Sequence, residues 1–574
     1  MLSYFYITLL ILFSSTLICH TQTPAHSYAP IRTKCPSGSF MRYAGTVERR
    51  NQRLGDKEAY YMEQRRQKVI PGAYRAYLSN VENSLRSRSR RLPRYVSKIL
   101  RGDNIDRPHV SVAVSGGGLR ASYFGAGVLN ALDGRNSTSV KVGTGGLLQA
   151  FDYITGLSGA ACLVMSLAQA NFPDMYELSL GPRDPRVVPE ESDAFIGSTR
   201  GWLTDISYIT PGALNLAQDG LWWAEISGDV EEKAAAGFKV SLADMYARIL
   251  AYHYVNGTSH ENYFDPGAPH GQAETLSSLA RAVPTLRNYS QPLALITSIA
   301  ESPGEGRDNI LQGAAVPITN NQYEFSMFEV GSWDSNLATF IDTAYLGSQP
   351  GRKDCVKNYD NLGFMVAASA NVLKKADNLL GALSTKGYFP ILPRIEGFLS
   401  LVPNPFKENL PFAPLLVPAR KVDVILALDA SDDLDMGYPT GDALLATAQR
   451  SRIFPNKAYP FPDVKNVSRL HRTRPSFVGC TDLPGTPLII YIPNAPPVPK
   501  VQTAALELSR ATSLAVLDSS TQLAFTKDPL WSGCLACAVV DRARARAKKR
   551  RVGLCADCFS RYCYDGQAGK YTDV

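Results

Sequence analysis

Two stretches of the chain have the pattern of a β-strand, a glycine turn and an α-helix. The first, HVSVAVSGGGLRASYFGAGVLNALD, alternates apolar residues over 110–114, has glycine at 116–118 and continues with small and apolar residues at helical spacing. The second, FDYITGLSGAACLVMSLAQA, passes from β-branched and aromatic residues through Gly156 and Ser158 into an apolar, helix-forming segment. Together they predict an α/β fold in three layers, with a central, mostly buried mixed sheet that has helices on both faces.

The glycines of the first stretch let the backbone approach a ligand closely and point N–H groups at an anion, either a phosphate or an oxyanion. A P-loop is excluded because no Gly-Lys-Ser/Thr follows, and SGGGLRAS does not match the dinucleotide fingerprint GxGxxG. In the second stretch, Ser158 departs from the GxSxG nucleophile elbow only at Ala160. Two interpretations of Ser158 stay open, a nucleophile and a serine that caps a helix.

A nucleophilic serine needs a base, and the sequence offers two arrangements. Asp429 ends the strand-like run KVDVILALD, and the end of a buried strand is where open α/β sheets place their chemistry. The order Ser158, Asp429, His471 also matches the triad of an α/β-hydrolase. His471 lies in the basic, loop-like stretch SRLHRTRPS, which favours a surface residue over a catalytic one.

The chain has 574 residues of ordinary globular composition, 45% apolar and 20% charged. No long Ser/Gly/Pro-rich tract and no repeat interrupts residues 110–495, which favours one large domain over residues 25–574. The apolar run from Tyr6 to Ile18 is too short for a membrane helix and predicts a signal peptide over residues 1–24, with a buried N-terminal helix as the alternative.

Other features fit an exported chain. The polar C-terminal sequence YCYDGQAGKYTDV has no lipid-anchor signal, so the predicted product is extracellular or associated with the cell wall. Sequons of the form N-x-S/T predict glycosylation at four positions: Asn136, Asn256, Asn288 and Asn466.

Five of the ten cysteines lie in a Cys-rich segment, about residues 530–565, with the spacing C-x2-C, seventeen residues, C-x2-C and then Cys563. The spacing is typical of a zinc site, but in an oxidising compartment the same residues favour disulfides. Removal of Cys19 with the signal leaves nine cysteines, so one is free or pairs between chains. Cys162, in the apolar run after Ser158, is the predicted buried free thiol.

The formal net charge of +8 is concentrated in two basic runs, residues 86–94 and 542–551. Nucleic acid is not the expected partner, because an exported chain rarely meets it. We expect the second run to be a solvated helix face, and attraction to an anionic lipid surface is an alternative for either run.

The sequence resembles the fungal lysophospholipases (phospholipase B), which are related to the cytosolic phospholipase catalytic domain and more distantly to patatin. The resemblance implies a single lysophospholipase catalytic domain with that α/β architecture and a disulfide-stapled C-terminal segment. Matching stretches follow one another over roughly residues 33–565: CPSGSFMRYAG, SGGGLRASYFGAGVLNALD, GGLLQAFDYITGLSG, YEFSMFEVGSWD, FIDTAYLG, NLGFMVAASAN, VDVILALDAS and CADCFSRYCYDG.

The resemblance implies a Ser–Asp dyad without a catalytic histidine. Ser158 matches the nucleophile and Asp429 matches the base. Gly117 and Gly118 match the backbone donors of an oxyanion hole. Arg120 matches the arginine that holds the substrate phosphate, and a guanidinium just after a glycine turn suits the fork geometry of a phosphodiester.

Three neighbouring positions depart from the family, which usually has glycine where this chain has Ala160 and a larger polar or aromatic pair where it has Ala161 and Cys162. Alanine fits the first turn of a helix without strain, so the departure puts the rate and the substrate fit in question more than the existence of the site.

The expected activity is hydrolysis of fatty-acyl esters of phospholipids and lysophospholipids through an acyl-enzyme. The expected scheme uses no metal or other cofactor, and calcium is not expected because no EF-hand loop is present. No obligate protein partner is implied. The alternatives are a histidine-dependent esterase or lipase of the α/β-hydrolase type, an inactive lipid-binding glycoprotein, and a zinc module with a basic tail that binds nucleic acid.

Overall fold

The strands of the two strand-turn-helix units lie next to each other in the main sheet. The computed structural model describes residues 27–102, 106–182, 201–301, 317–370, 400–402, 408–432, 438–453 and 460–564, so the predicted signal peptide, residues 1–24, lies outside them. The strands of the described residues are β1 Ile31–Lys34, β2 Met41–Tyr43, β3 Val110–Val114, β4 Tyr153–Gly156, β5 Leu293–Glu301, β6 Gln322–Phe325, β7 Glu329–Ser332, β8 Thr339–Asp342, β9 Asp354–Lys357, β10 Ser400–Val402, β11 Val424–Asp429, β12 Ser476–Val478 and β13 Leu488–Pro493.

In these residues the main sheet has the order β12-β13-β11-β3-β4-β5-β6-β7-β8-β2, and β10 pairs with β5. The five strands from β13 to β5 are parallel to one another, whereas the outer strands are antiparallel. All residues of β3, β4, β11 and β13 are buried, which explains why these strands read as nearly continuous apolar runs. The mixed sheet of the sequence prediction is therefore confirmed.

Helices flank the sheet. They are α1 Asp56–Lys68, α2 Ile70–Arg86, α3 Arg94–Arg101, α4 Gly118–Asn130, α5 Ser137–Val142, α6 Gly159–Gln169, α7 Met175–Leu180, α8 Leu216–Ala235, α9 Leu242–Tyr254, α10 Leu279–Ala282, α11 Pro284–Arg287, α12 Leu362–Ala370, α13 Ala413–Leu416, α14 Asp442–Ile453, α15 Arg510–Phe525, α16 Trp531–Val539, α17 Asp541–Arg546 and α18 Leu554–Tyr562. None of these described helices combines the length and the apolar character that a membrane-spanning helix needs.

The helix α4 packs between α6 and α15, and its small residues allow the close approach. A Cβ atom added at Gly127 would lie 2.5 Å from the carbonyl oxygen of Leu517 on α15. The hydroxyl of Thr521 donates to the carbonyl oxygen of Gly127 at 2.9 Å. The helix that follows the glycine turn is thus fixed on the side away from the sheet by the C-terminal part of the chain.

The cysteines form disulfides, which contradicts the zinc-site alternative. Two bonds join α16 to α18, and the others tie the N-terminal strand β1 to β9 and the β12 region to the end of α18. Cys162 is free and buried, as predicted, and burial raises the pKa of its thiol to about 12. The disulfides are Cys35–Cys355, Cys480–Cys563, Cys534–Cys558 and Cys537–Cys555.

The prediction that residues 542–551 form a solvated helix face is wrong for Arg542 and Arg544, which are buried. Both guanidinium groups contact the carboxylate of Asp541, at 2.9 and 3.0 Å. A buried guanidinium needs such a charged partner, and the charge pattern of the run alone did not reveal it.

The four predicted glycosylation sites lie in the described residues. Asn288 and Asn466 are exposed, and Asn136 and Asn256 are half-buried. The amide of Asn136 donates to the carbonyl oxygen of Asn130 at 3.3 Å, a contact that a glycan on this amide would change. Glycosylation stays a prediction.

Candidate active site

Ser158 lies in a sharp turn between β4 and α6. Its φ is 55° and its ψ is −125°, a backbone conformation that is strained for a residue with a side chain. Ser158 occupies the N-cap position of α6, but its hydroxyl accepts no capping hydrogen bond. The strand-turn-helix context predicted for a nucleophile elbow is present, and the helix-cap interpretation lacks its defining contact.

The glycine turn after β3 lies directly beside Ser158. A Cβ atom added at Gly116 would lie 3.0 Å from the Cβ of Ser158. Gly117 and Gly118 have φ values of 143° and 61°, which favour glycine. Within the described part of the chain, no acceptor is bonded to the N–H of Gly117 or Gly118, so both donors are available to an oxyanion at the start of α4.

The two turns are locked together at Gly159. A Cβ atom added at Gly159 would lie 2.0 Å from the carbonyl oxygen of Gly118, so only glycine fits there. The hydroxyl of Ser122, on α4, donates to the carbonyl oxygen of Gly159 at 2.7 Å. The distance between the serine turn and the glycine turn is therefore fixed by backbone contact.

Ala160 lies in the first turn of α6 and is fully buried. Its φ is not in the left-handed region that favours glycine, so alanine fits this backbone. The effect of Ala160 on the rate stays a prediction.

Asp429 is the last residue of β11 and is fully buried. Its Oδ1 accepts hydrogen bonds from the hydroxyl of Ser431 at 2.6 Å and from the N–H of Ser431 at 3.0 Å, and its Oδ2 accepts one from the hydroxyl of Tyr491 at 2.9 Å. Burial raises the pKa of Asp429 above its ordinary value, although these hydrogen bonds and the charge of Arg120 oppose the rise. A carboxylate with a raised pKa is a better proton acceptor than an exposed one.

Asn409 connects the glycine turn to the aspartate. Its side-chain amide donates to the carbonyl oxygen of Gly116 at 3.1 Å and to the hydroxyl oxygen of Ser431 at 2.8 Å. Since Ser431 in turn donates to Asp429, one chain of hydrogen bonds runs from the glycine turn to the carboxylate.

The guanidinium of Arg120 is fully buried under the glycine turn. It donates to the carbonyl oxygen of Ala430 and the hydroxyl of Thr503, both at 2.9 Å, and to the carbonyl oxygen of Val501 at 2.5 Å. Its Nη1 lies 3.7 Å from Oδ2 of Asp432. Arg120 therefore joins the turn after β3 to the segment after β11. Binding of the substrate phosphate by Arg120 stays a prediction.

The strand order brings these groups to one edge of the sheet. The turn at Gly116 follows β3, Ser158 follows β4 and Asp429 ends β11, and β3 lies between the other two strands. Neighbouring strands are about 4.8 Å apart, so the β4 and β11 backbones are separated by about 10 Å. Among the hydrogen bonds of the described residues there is none between Ser158 and Asp429. Hydrogen bonds between a nucleophile and its base often form only when substrate is bound.

His471 lies apart from these groups. Its Nε2 accepts a hydrogen bond from Arg474 at 2.8 Å, and its N–H donates to Ser476 at 3.4 Å. The other described histidines, at positions 109, 253, 260 and 270, also bond to residues other than Ser158 and Asp429. His20 and His26 lie outside the described residues. The described structure therefore offers no histidine partner for the serine.

The contacts of four residues at the site were missed from the sequence. Ser431 follows Asp429 by two residues, and a hydroxyl at that spacing was a signal for a local hydrogen bond. Asn409 and Tyr491 come from segments with no motif. Ser369, on α12, accepts a hydrogen bond from the N–H of Ser158 at 3.3 Å and supports the strained turn.

A family model described as the lysophospholipase catalytic domain matches residues 110–388 and 401–569. The chain belongs to this lysophospholipase family. Family membership makes it an enzyme, a hydrolase of lipid esters of the lysophospholipase type, and confirms the resemblance found in the sequence.

Other lysophospholipases match this family member over most of its length. Lysophospholipase 2 of Aspergillus fumigatus is 30% identical over 515 residues, which cover 80% of this chain and 82% of that protein. Lysophospholipase 1 of Saccharomyces cerevisiae is 28% identical, with 97% of this chain and 86% of that protein covered.

Solved structures of human GIVD cytosolic phospholipase A2 share the fold of this lysophospholipase. One has a TM-score of 0.56 at 16% identity and covers 89% of this chain and 67% of that chain. A complex with methyl gamma-linolenyl fluorophosphonate has a TM-score of 0.55 at 16% identity and covers 90% and 70%. The predicted architecture, similar to the cytosolic phospholipase catalytic domain, is thereby confirmed.

Proposed function

We propose that this lysophospholipase is secreted and cleaves the fatty-acyl esters of lysophospholipids and phospholipids through Ser158, Asp429 and an acyl-enzyme. The observation that carries the proposal is the strained turn at Ser158, φ 55°, held against a glycine turn whose N–H groups at 117 and 118 have no bonded acceptor in the described structure. Strain of this kind concentrates at catalytic residues.

The first half of the reaction forms the acyl-enzyme. Asp429 accepts the hydroxyl proton of Ser158, and the serine oxygen bonds to the acyl carbonyl carbon of the lipid. The carbonyl oxygen becomes an oxyanion that the N–H groups of Gly117 and Gly118 stabilise, each by about 3 kcal/mol. The intermediate then breaks the bond to the glycerol oxygen, and Asp429 returns its proton to that leaving oxygen.

The second half releases the fatty acid. Asp429 accepts a proton from water, and the hydroxide bonds to the acyl carbon at the same oxyanion site. Collapse breaks the ester bond to Ser158, and the proton on Asp429 returns to the serine oxygen. The products are a free fatty acid and a glycerophosphodiester or a lysophospholipid.

Arg120 is the proposed phosphate ligand. Its Nη1 is 3.7 Å from the carboxylate of Asp432, which is partly exposed. A substrate phosphate that approaches Arg120 would compete with Asp432 for the guanidinium, whereas the carbonyl contacts to Ala430 and Val501 hold the guanidinium in place. The arginine would thereby fix the headgroup relative to the oxyanion site.

Secretion is supported by chemistry that needs an oxidising compartment. The described residues contain four disulfides, a bond type that is rare in the cytosol. The exposed sequons at Asn288 and Asn466 are accessible to a glycosylation enzyme. Sequencing the N-terminus of the mature protein tests the predicted removal of residues 1–24.

The central experiment compares wild type with Ser158→Ala and Asp429→Asn on position-labelled phosphatidylcholine and lysophosphatidylcholine. We expect release of labelled fatty acid to fall at least about 1000-fold in both variants, because each removes a group that acts in the transition state. A fluorophosphonate probe should label wild type but not Ser158→Ala.

Ser166→Ala is the matched control, since Ser166 is a buried serine on the same helix. Its hydroxyl donates to the carbonyl oxygen of Leu163 at 3.1 Å and accepts from the indole N–H of Trp202 at 3.0 Å, and neither contact involves Ser158 or Asp429. This control should keep the probe reaction and the fatty-acid release. Full activity in folded Asp429→Asn would contradict the dyad, and absence of labelling in folded wild type would favour a lipid binder without activity.

A further inference from the structure

The end of the sheet opposite Ser158 is concave. A cavity of about 1160 Å³ is lined by residues 106–109, 421–423 and 482–487, which lead into β3, β11 and β13. These are the amino-terminal ends of the strands, whereas Ser158 and Asp429 lie at the carboxyl ends. The cavity is therefore separated from the candidate active site by the length of the parallel strands.

The lining of the cavity is strongly basic. Ten Arg and Lys side chains and three Asp side chains line it, in a chain whose whole formal net charge is +8. Much of the lining comes from the basic run 542–551, which the catalytic site does not use. A cleft lined by one sign of charge with apolar walls concentrates the field and attracts ions of the opposite sign.

Some of the basic side chains form ion pairs in the lining of the cavity. Arg544 and Arg551 both contact Asp482, at 2.5 and 3.1 Å, and both contact Asp541 behind the lining. Arg546 is paired with Asp423 at the start of β11. These pairs hold the loops of the lining in place, and they leave other cations without an acidic partner.

The remaining basic side chains point to the ligand chemistry. Lys421, Lys548, Lys549 and Arg550 are exposed and line the cavity, and none of them has an ion pair within the described residues. Lys421 precedes β11, whereas the other three lie in the connection between α17 and α18. The cations thus come from two walls, and one phosphate ion is much smaller than the cavity between them.

We propose that this cavity binds a soluble compound that carries two or more phosphate groups. A ligand with clustered phosphates places several negative charges among the unpaired cations of both walls. A ligand with a single carboxylate brings only one negative charge and cannot reach both walls. The ligand is soluble because the cavity opens at the end of the molecule opposite the site where lipid is cleaved. That last step rests on the proposed function of Ser158.

The test is titration of the full-length, purified protein with sodium tripolyphosphate by isothermal titration calorimetry at low ionic strength. We expect saturable binding that weakens as salt is added. Lys548→Glu/Lys549→Glu and, on the other wall, Lys421→Glu should each weaken binding at least about tenfold. The matched control is Arg49→Glu/Arg50→Glu, two exposed residues beside β2 at the far edge of the sheet, which should change binding by less than about twofold.

Several results would overturn the proposal. Absence of binding at low salt, or equal weakening in the control and in the cavity variants, would mean that no specific site exists. Binding to phosphatidylcholine vesicles that contain phosphatidic acid, lost in Lys548→Glu/Lys549→Glu but without tripolyphosphate binding, would assign the cavity to a lipid surface instead. Calorimetry measures binding and does not depend on hydrolysis. The binding result therefore tests the cavity even if the proposed catalytic function of Ser158 is wrong.

Discussion

The hydroxyl of Tyr491 donates a 2.9 Å hydrogen bond to the carboxylate of Asp429. Tyr491 lies on β13 and pairs with Ala427 of β11, two residues before the aspartate on the same face of the sheet. The contact therefore depends on the register of two parallel strands. It stabilises the charged form of a carboxylate that burial otherwise makes harder to ionise.

The pH profile should respond to this contact. A base must be deprotonated to act, so activity falls as the pH drops through the pKa of Asp429. Tyr491→Phe and Ser431→Ala each remove a hydrogen bond that lowers this pKa, so the acid limb of kcat/KM should move to higher pH by about 0.5 to 1 unit. The measurement is kcat/KM against pH, with Tyr438→Phe as the control because its hydroxyl donates to the carbonyl oxygen of Val498. An acid limb that stays in place in both test variants would contradict the role of Asp429 as the base.

His471→Ala should keep activity within about twofold of wild type, because the hydrogen bonds of His471 to Arg474 and Ser476 do not involve Ser158 or Asp429. Fatty-acid release from lysophosphatidylcholine is the readout, and thermal unfolding shows that the variant is folded. Loss of hydrolysis in the folded variant would support a histidine-dependent triad and refute the dyad.

Gly159→Ala should destabilise the protein by about 3 kcal/mol and remove activity, because the new methyl group would overlap the carbonyl oxygen of Gly118. Gly72→Ala is the control. It lies near the start of α2 with no atom within 4 Å of the added Cβ, and it should be neutral or raise stability by up to about 1 kcal/mol. Unfolding in urea measures both values. Equal stability of the two variants would show that the two turns are not in contact.

Thiol counting tests the cysteine assignment. In denaturant without reductant, a chain that lacks residues 1–24 should show one thiol, Cys162. In the native state at pH 8 this thiol should not react with iodoacetamide, because burial raises its pKa to about 12 and the thiolate is the nucleophile. A zinc module would instead show several thiols together with bound metal by elemental analysis.

The sequence predicted the parts of the site that follow from local pattern. Apolar runs predicted the strands that lead to Gly116, Ser158 and Asp429, and glycines predicted the turns. Such features depend on residues that are close together in the chain. The free thiol at Cys162 followed from an odd count and an apolar context.

The contacts of Asn409 and Tyr491 could not be predicted, since they depend on which strands are neighbours and on the register between them. The burial of Arg544 was missed for a similar reason. Its partners, Asp541 and Asp482, include one that is 62 residues away in the sequence. Tertiary pairing of charges thus overrode the pattern of the basic run.

The positions of the site residues along the chain determine when the candidate active site becomes complete during translation. Asp429 is made about 270 residues after Ser158, a delay of roughly 15 to 50 s at ordinary ribosome speeds. Until then the nascent chain has the serine and the glycine turn but lacks β11, which flanks β3 in the finished sheet. On the proposed mechanism, an unfinished chain has no base, so Ser158 cannot act on lipid until β11 has been made and has joined the sheet.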